Sequence, residues 1–310
     1  MRFRFRAALL TLWCVALPAG AAPGFPLRVT DDAGTAVALA APPSRIVSLT
    51  LPTDEMLTDL VDLSRLQAVT YLSMDAAVSN VAGRVAPVPH KLDLNVEEIL
   101  SLSPDLVLVA DWNDAGAVAQ LRAAGVPVYL IKSAVTVASI EQKIARLALL
   151  TGEQDRGRAM IQRMESRLAA VARAVADIPA DRRLSVIDYA TWGSAQGRGS
   201  SWDEMLRCAG LVDAAGSLAA DEWGQVPLSR EKLLEMDPQV LVLPGWVYNN
   251  PGGAAAFYQR ITRDPSLRGL QAVKAGRVYM MPERLKSATS QYFADAVEWL
   301  ARTAYPGILK

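Results

Sequence analysis

The chain has one histidine, His90, among 310 residues. A Ser-His-Asp triad could be assembled only on that residue, and a zinc site with several His ligands cannot be assembled at all. Two cysteines occur, Cys14 and Cys208. Cys14 lies in the N-terminal apolar stretch, so the remainder holds a single thiol and no intramolecular disulfide. Cys208, within "EMLRCAGLVD", reads as a small buried apolar group. No Walker A phosphate loop is present. Beyond the N-terminus no run is long and apolar enough to cross a bilayer.

What is present is globular. Apolar residues make up 51% and charged residues 21%, which disfavours disorder. The first residues have the form of an export signal. Arg2, Arg4 and Arg6 precede the apolar core "AALLTLWCVAL", and Ala19-Gly20-Ala21 supplies the small residues a signal peptidase reads. Residues 1–21 are therefore expected to be a signal peptide cleaved near Ala21, and the mature protein to lie in a periplasm. Trp13 before Cys14 argues against a lipid-attachment site. Cleavage removes three of the 32 basic residues and none of the 32 acidic ones, giving a net charge of −3. That charge excludes nucleic acid as a natural partner.

The chain repeats a phrase. "NVEEILSLSPDLVLVADW" (Asn95 to Trp112) is echoed 134 residues later by "SREKLLEMDPQVLVLPGW" (Ser229 to Trp246). Glu, Leu, Pro and Trp recur at the same places. Each copy reads as a capped short helix, a Pro break and a continuous apolar strand. That is the grammar of a parallel sheet covered on both faces. "DEML" also occurs twice, at Asp54 to Leu57 and Asp203 to Leu206, each time after the first strand of its half. Thr53 is the expected N-cap of the first of these helices.

Between the halves, Glu153 to Ile178 is rich in strong helix formers and contains no proline. Met160, Ile161, Met164, Leu168, Val171 and Val175 follow helical spacing. A helix of that length would measure roughly 39 Å, enough to join two bodies. The expected fold is α/β, with two Rossmann-like lobes joined by one long α-helix and a ligand cleft between them. The expected boundaries are an N-terminal lobe over 22–151, a linking helix over 152–179 and a C-terminal lobe over 180–310.

Aromatic residues mark the strand ends. Trp112, Trp192 and Trp246 follow apolar strands, Trp223 lies in the loop "DEWGQVP", Tyr71 ends a strand and Tyr248 follows Trp246. In α/β sheets, ligands bind beyond the carboxyl ends of strands. Any one of these side chains could equally cap the core. Several in equivalent loops of two lobes point to a shared cleft for a large flat ligand. Arg198, in the Gly-rich stretch "GSAQGRGSSW", together with Glu283 and Arg284 after the last strand, are the charges placed to select it, with Arg284 favoured.

Together these features resemble the periplasmic substrate-binding proteins for cobalamin and iron chelates. Those are the class III two-lobed binding components of ABC importers. The resemblance runs from "RIVSLT" to the terminal helix, and "EWGQVPLSRE" is similar to a segment of the cobalamin-binding member. It implies a monomer that captures a metal chelate and delivers it to an inner-membrane permease dimer, without enzymatic activity, metal site or cofactor of its own. It also implies that Glu97 and Glu231 dock onto that permease. Sequence position alone gives both residues a second role, as carboxylates in the first turn of a helix. The ligand expected first is a corrinoid such as cobalamin, then a ferric siderophore, then heme. The family's cobalamin protein differs in carrying a disulfide, in the register of its cleft Tyr, which falls near Met74, and in the position of the residue matching Trp112. For heme, Tyr71 or His90 would be the iron ligand. For a hydroxamate siderophore, Arg198, Arg284 and Tyr248 would serve.

Overall fold

The computed structural model describes residues 24–221 and 224–309. The expected signal peptide and Trp223 lie outside the described residues. The chain opens with an antiparallel hairpin, β1 (Leu27–Thr30) and β2 (Ala36–Leu39). Five parallel strands follow: β3 (Ile46–Ser48), β4 (Leu66–Thr70), β5 (His90–Leu92), β6 (Leu106–Ala110) and β7 (Val128–Ile131). Their order across the sheet is β5-β4-β3-β6-β7. The helices between and after them are α1 (Leu51–Leu60), α2 (Val96–Ser101), α3 (Ala115–Ala123) and α4 (Val137–Thr151).

The hairpin is not foreseen from sequence, where this opening segment reads only as Pro-rich. It closes the β7 edge: the Asp32 amide donates to the Leu130 carbonyl, and Asp31 and Asp32 pair with Arg122 and Lys143. An exposed sheet edge is thereby covered.

After the linking helix α5 (Gln154–Val175) comes a second, parallel sheet. Its strands are β8 (Ser185–Asp188), β10 (Val212–Asp213), β12 (Val240–Pro244) and β13 (Val278–Met281), in the order β10-β8-β12-β13. A small antiparallel pair, β9 (Ser194–Gln196) and β11 (Gln225–Pro227), lies beside them. The accompanying helices are α6 (Ser201–Cys208), α7 (Arg230–Met236), α8 (Gly253–Arg263), α9 (Gln271–Lys274), α10 (Glu283–Lys286) and α11 (Phe293–Ala304).

The repeated phrase occupies equivalent places. It forms α2 with β6 in the first lobe and α7 with β12 in the second. Asn95 and Ser229 cap the helices through bonds from the Glu98 and Lys232 amides at 3.1 Å each. Ser103 and Asp237 both take a positive φ, at 48° and 42°, directly before Pro104 and Pro238. A residue before proline is pushed out of the right-handed helical region, so each helix must stop there. The phrase thus encodes a helix, an abrupt left-handed stop and a fully buried strand. One expectation is corrected: α1 is capped by Thr50, whose hydroxyl accepts from the Thr53 amide, and not by Thr53. Pro52 has no amide hydrogen, so it fits the first turn and lets the helix start earlier than its apolar spacing indicates.

Helix α5 is a packed strut. At 22 residues it measures about 33 Å. It is shorter than the favourable composition predicts, because the chain turns at Ala176 ahead of Pro179. Met160, Met164, Val171 and Val175 belong to one apolar cluster that includes Ile46, Leu57 and Ile144 on one side and Trp202, Leu206 and Phe293 on the other. The two lobes therefore share a core. Arg167 anchors the helix to α11 through Asp295 at 2.7 Å and Glu298 at 2.8 Å. At the α4–α5 turn, a Cβ placed on Gly157 would lie 2.5 Å from the Cβ of Ala148.

This packing can be tested at two positions. Ala is normally better than Gly inside a helix, but here the added methyl has no room. Gly157→Ala should destabilise the protein by about 1–3 kcal/mol in chemical denaturation, and a stabilised variant would refute the close approach. The second position is Asp213, whose carboxyl burial pushes up from 3.8 to about 7, with Asp203 and Asp188 adding repulsion. A raised value in the folded state means that this group's contribution to stability is complete below pH 3.8 and is lost as pH rises through about 7. The stability of Asp213→Asn relative to wild type should rise across that window. A pH-independent difference would show that Asp213 is not buried as described.

Candidate functional site

Both sheets reverse strand order beside their first strand, at β3/β6 and at β8/β12. Crevices open at such switch points beyond the carboxyl ends of strands. The two crevices face each other and form a cavity of about 400 Å³, in the range of small-molecule sites. Its first wall comes from the segments after β3, β6 and β7, with Leu51, Pro52, Trp112 and Ser133 to Val135. Its second wall comes from Gln196, the start of α6 and residues 283–289 after β13.

The nominated aromatic residues stand around this cleft in different ways. Trp112 lines the cavity and is 49% exposed. Trp246 lines a second crevice, of about 360 Å³, where Asp75 of the first lobe meets the 245–254 loop of the second. Trp246 packs edge-on against Tyr248, with ring centroids 5.8 Å apart. Tyr248 in turn meets Tyr71 of the opposite lobe, and both remain largely exposed. Burial raises the Tyr71 pKa, and the neighbouring Tyr248 and Asp93 add to the rise. Trp192 is 71% exposed on the turn between β8 and β9 and lines neither of these two crevices.

Tyr71 is held from beneath. It sits in a 3-10 turn, Tyr71–Met74, at the end of β4. The wholly buried Asp54 on α1 accepts from the Thr70 amide at 2.9 Å and from the Ser73 hydroxyl. Burial pushes the Asp54 carboxyl well above the usual range, opposed by these hydrogen bonds.

Its neighbour Glu55 reaches the other lobe. One carboxylate oxygen accepts from the Asn80 amide at 3.0 Å and the Asn80 side chain at 2.8 Å, and the other accepts from the Ser290 hydroxyl. Asn80 also donates to the Arg284 carbonyl at 2.7 Å, and the Arg284 amide donates to the Ala77 carbonyl at 3.1 Å. Arg284 therefore joins the lobes through its backbone. Glu283, next to it, lines the cavity. Burial raises the Glu283 pKa, partly opposed by the Lys286 charge. Lys286 is paired with the buried Asp188 at 3.0 Å.

The remaining nominated residues lie elsewhere. Arg198 is exposed on the turn before α6, with no hydrogen-bond or ion-pair partner among the described residues. Glu97 and Glu231 are exposed at the second positions of α2 and α7. The Glu231 carboxyl is held low by its own backbone amide and by Ser229. His90 starts the edge strand β5. Cys208 is partly buried, and burial lifts its thiol to about 11, an unreactive value.

Sequence reasoning missed most of the second wall. Gln196, Ser200, Ser201 and Trp202 lie in the Gly-rich stretch and the helix after it, but nothing in their spacing marks them. Lys286, Ser287 and Thr289 carry no pattern of their own. Glu283 stands out in the sequence only as a neighbour of Arg284. Among the described residues, no group of His, Cys, Asp and Glu is arranged to hold a metal ion, and no helix is long and apolar enough to cross a membrane.

The chain and its fold have clear relatives. An uncharacterised ABC transporter substrate-binding lipoprotein, YvrC of Bacillus subtilis, is 25% identical over 92% of this chain and 88% of its own length. A cobalamin-binding protein of Halobacterium salinarum is 28% identical over 70% of this chain, a match that spans 58% of that protein. Among solved structures, the molybdate periplasmic binding protein MolA of Haemophilus influenzae, bound to molybdate, superposes with a TM-score of 0.74. It is 20% identical, covers 91% of this chain and 92% of its own, and so speaks for the fold alone. Residues 46–285, from the first strand of the large sheet to the cavity wall after the last, match the periplasmic binding protein family, and the chain belongs to that family of binding proteins rather than enzymes.

Proposed function

We propose that this protein is the solute-binding component of an ABC importer, and that its ligand is a corrinoid such as cobalamin. The observation that carries the reading is the set of aromatic side chains contributed by both lobes, the exposed Tyr71 and Trp112 on one and the half-buried Trp246 with the exposed Tyr248 on the other. A large aromatic side chain can bury roughly 150–250 Å², so a few of them supply enough contact for a broad, flat ligand. The cobalamin-binding protein of Halobacterium salinarum among the relatives supports the same choice. A ferric siderophore or heme is the second reading. Tyr71 beside Tyr248 offers phenol oxygens for iron, but the raised Tyr71 pKa works against the phenolate that iron would need.

Glu97 and Glu231 are proposed as the docking points for the permease. They occupy matching positions in two related lobes, have no ion-pair partner among the described residues, and would present paired charges to a two-fold symmetric partner. We place the export signal before Ala21, the mature protein in the periplasm as a monomer, and the lobe boundaries on either side of α5.

Tryptophan fluorescence titration with cobalamin, ferric siderophores and heme tests the ligand. Cobalamin at micromolar concentration should quench strongly. Quenching by heme or a siderophore alone would replace the corrinoid reading, and none by any of them would remove the chelate class. Docking is tested separately. Glu97→Ala combined with Glu231→Ala should reduce permease-coupled uptake several-fold at unchanged ligand affinity. Normal uptake would return both carboxylates to stabilising their helix N-termini.

A further inference from the structure

We infer that Glu283 is a specificity-determining residue, which makes the cleft accept a neutral chelate edged with N–H or O–H donors and reject anionic ligands. The inference deepens the corrinoid reading and rests on it. Glu283 and Lys286 are the only ionisable residues among the described ones lining the cavity between the facing crevices. Lys286 is spent: its ammonium is held 3.0 Å from Asp188, which is 2% exposed and also accepts from the Gln196 amide at 2.7 Å. No described side chain or backbone amide donates to the Glu283 carboxylate. The wall therefore carries two carboxylates against one ammonium, and the unpartnered carboxylate is the one facing the space a ligand would fill.

A half-buried carboxylate accepts hydrogen bonds and cannot donate them. An anion brought beside it meets like charge where water is scarce, while an amide or hydroxyl completes it. The start of α6 also opens on the cavity, and a helix N-terminus favours anions. Asp203 and Glu204 fill its first turn, however, and Asp203 already takes the Gly199 amide at 3.0 Å. On the opposite wall, Lys132 and Lys143 line a smaller adjoining pocket. Lys143 is paired with Asp32, and Lys132 is exposed to solvent. A corrin ring rimmed with carboxamides matches this acceptor, whereas heme propionates and molybdate do not.

The test is calorimetric titration of wild type and Glu283→Gln with cyanocobalamin, ferrichrome, hemin and sodium molybdate, with folding checked by circular dichroism. Cyanocobalamin should bind the variant about ten-fold or more weakly, the scale of a lost hydrogen bond to a charged group. Hemin and molybdate should bind it no more weakly than wild type. Unchanged cyanocobalamin affinity would overturn the role of Glu283 and leave the corrinoid reading standing. Wild-type protein that ignores cyanocobalamin, binds neutral ferrichrome and loses it in the variant would sink the corrinoid and keep the role of Glu283. A wild-type preference for hemin or molybdate would overturn both. Should Glu283→Gln not fold, Glu283→Asp shortens the reach with the charge kept and is expected to weaken cyanocobalamin in the same direction.

Discussion

The carboxylate of Glu55 holds the two lobes together, and the geometry of the cleft depends on it. It is 2% exposed, so its charge must be satisfied by the protein. Two of its donors come from Asn80 in its own lobe and one from Ser290 in the other. Burial raises its pKa, and these hydrogen bonds counteract the rise. Separating the lobes would strip Ser290 from the carboxylate and break the Asn80 bond to Arg284. A buried acceptor left unmet costs more than the bond contributes when made. The joint is reinforced by Gln291, which donates to the Glu55 carbonyl at 2.8 Å and to Asp59 at 2.9 Å.

The second "DEML" repeats the device in the opposite direction. Glu204, at the place of Glu55, accepts from the Val137 amide at the start of α4, 3.2 Å away in the other lobe. Arg207 fixes its carboxylate at 2.7 and 2.8 Å. Each lobe thus extends a glutamate from the first helix after its leading strand into its partner. The four-letter repeat encodes a reciprocal joint, while the eighteen-residue repeat encodes the strand ends that carry the cleft. The preceding aspartates do not share a role. Asp54 supports the Tyr71 turn, whereas Asp203 stays with the local turn at Gly199.

Much of this architecture was legible because it is periodic. Buried parallel strands, the Pro breaks at 104 and 238 and the helical spacing of Met160 and Met164 are local signals, and the structure follows them. The hairpin β1–β2 was invisible because its strands are short and half-exposed, and only its docking onto β7 makes it a sheet. The aromatic residues could be assigned to strand ends, but a strand end does not say which crevice a side chain joins. Trp112 lines the cavity between the facing crevices, Trp246 the one beside Asp75, and Trp192 neither. Arg284 and Glu283 look alike as charges after a strand. Only the turn of α10 sends one to the cavity and engages the other, by its backbone, in the joint. Contacts such as Glu55 to Ser290 span more than two hundred residues, and no pattern within either segment announces them.

A braced back stands behind a cleft rimmed with aromatic side chains. With α5 inside a shared apolar core and glutamates crossing in both directions, few loop residues remain to absorb the dihedral changes of a wide hinge. The cleft is then largely set before the ligand arrives, and little binding energy is lost to ordering the protein. A cleft braced in this way would discriminate more by shape and by fixed polar groups than by closing around its ligand. The rim is the exposed part: Trp112 stands open to solvent, while Tyr248 is exposed but packed edge-on against Trp246. Tyr71 differs in its support: the buried Asp54 accepts from the Thr70 amide just before it and from the Ser73 hydroxyl just after it, which pins the turn that carries it. A ligand that meets Tyr71 would be set against an edge whose supporting turn is pinned to the core.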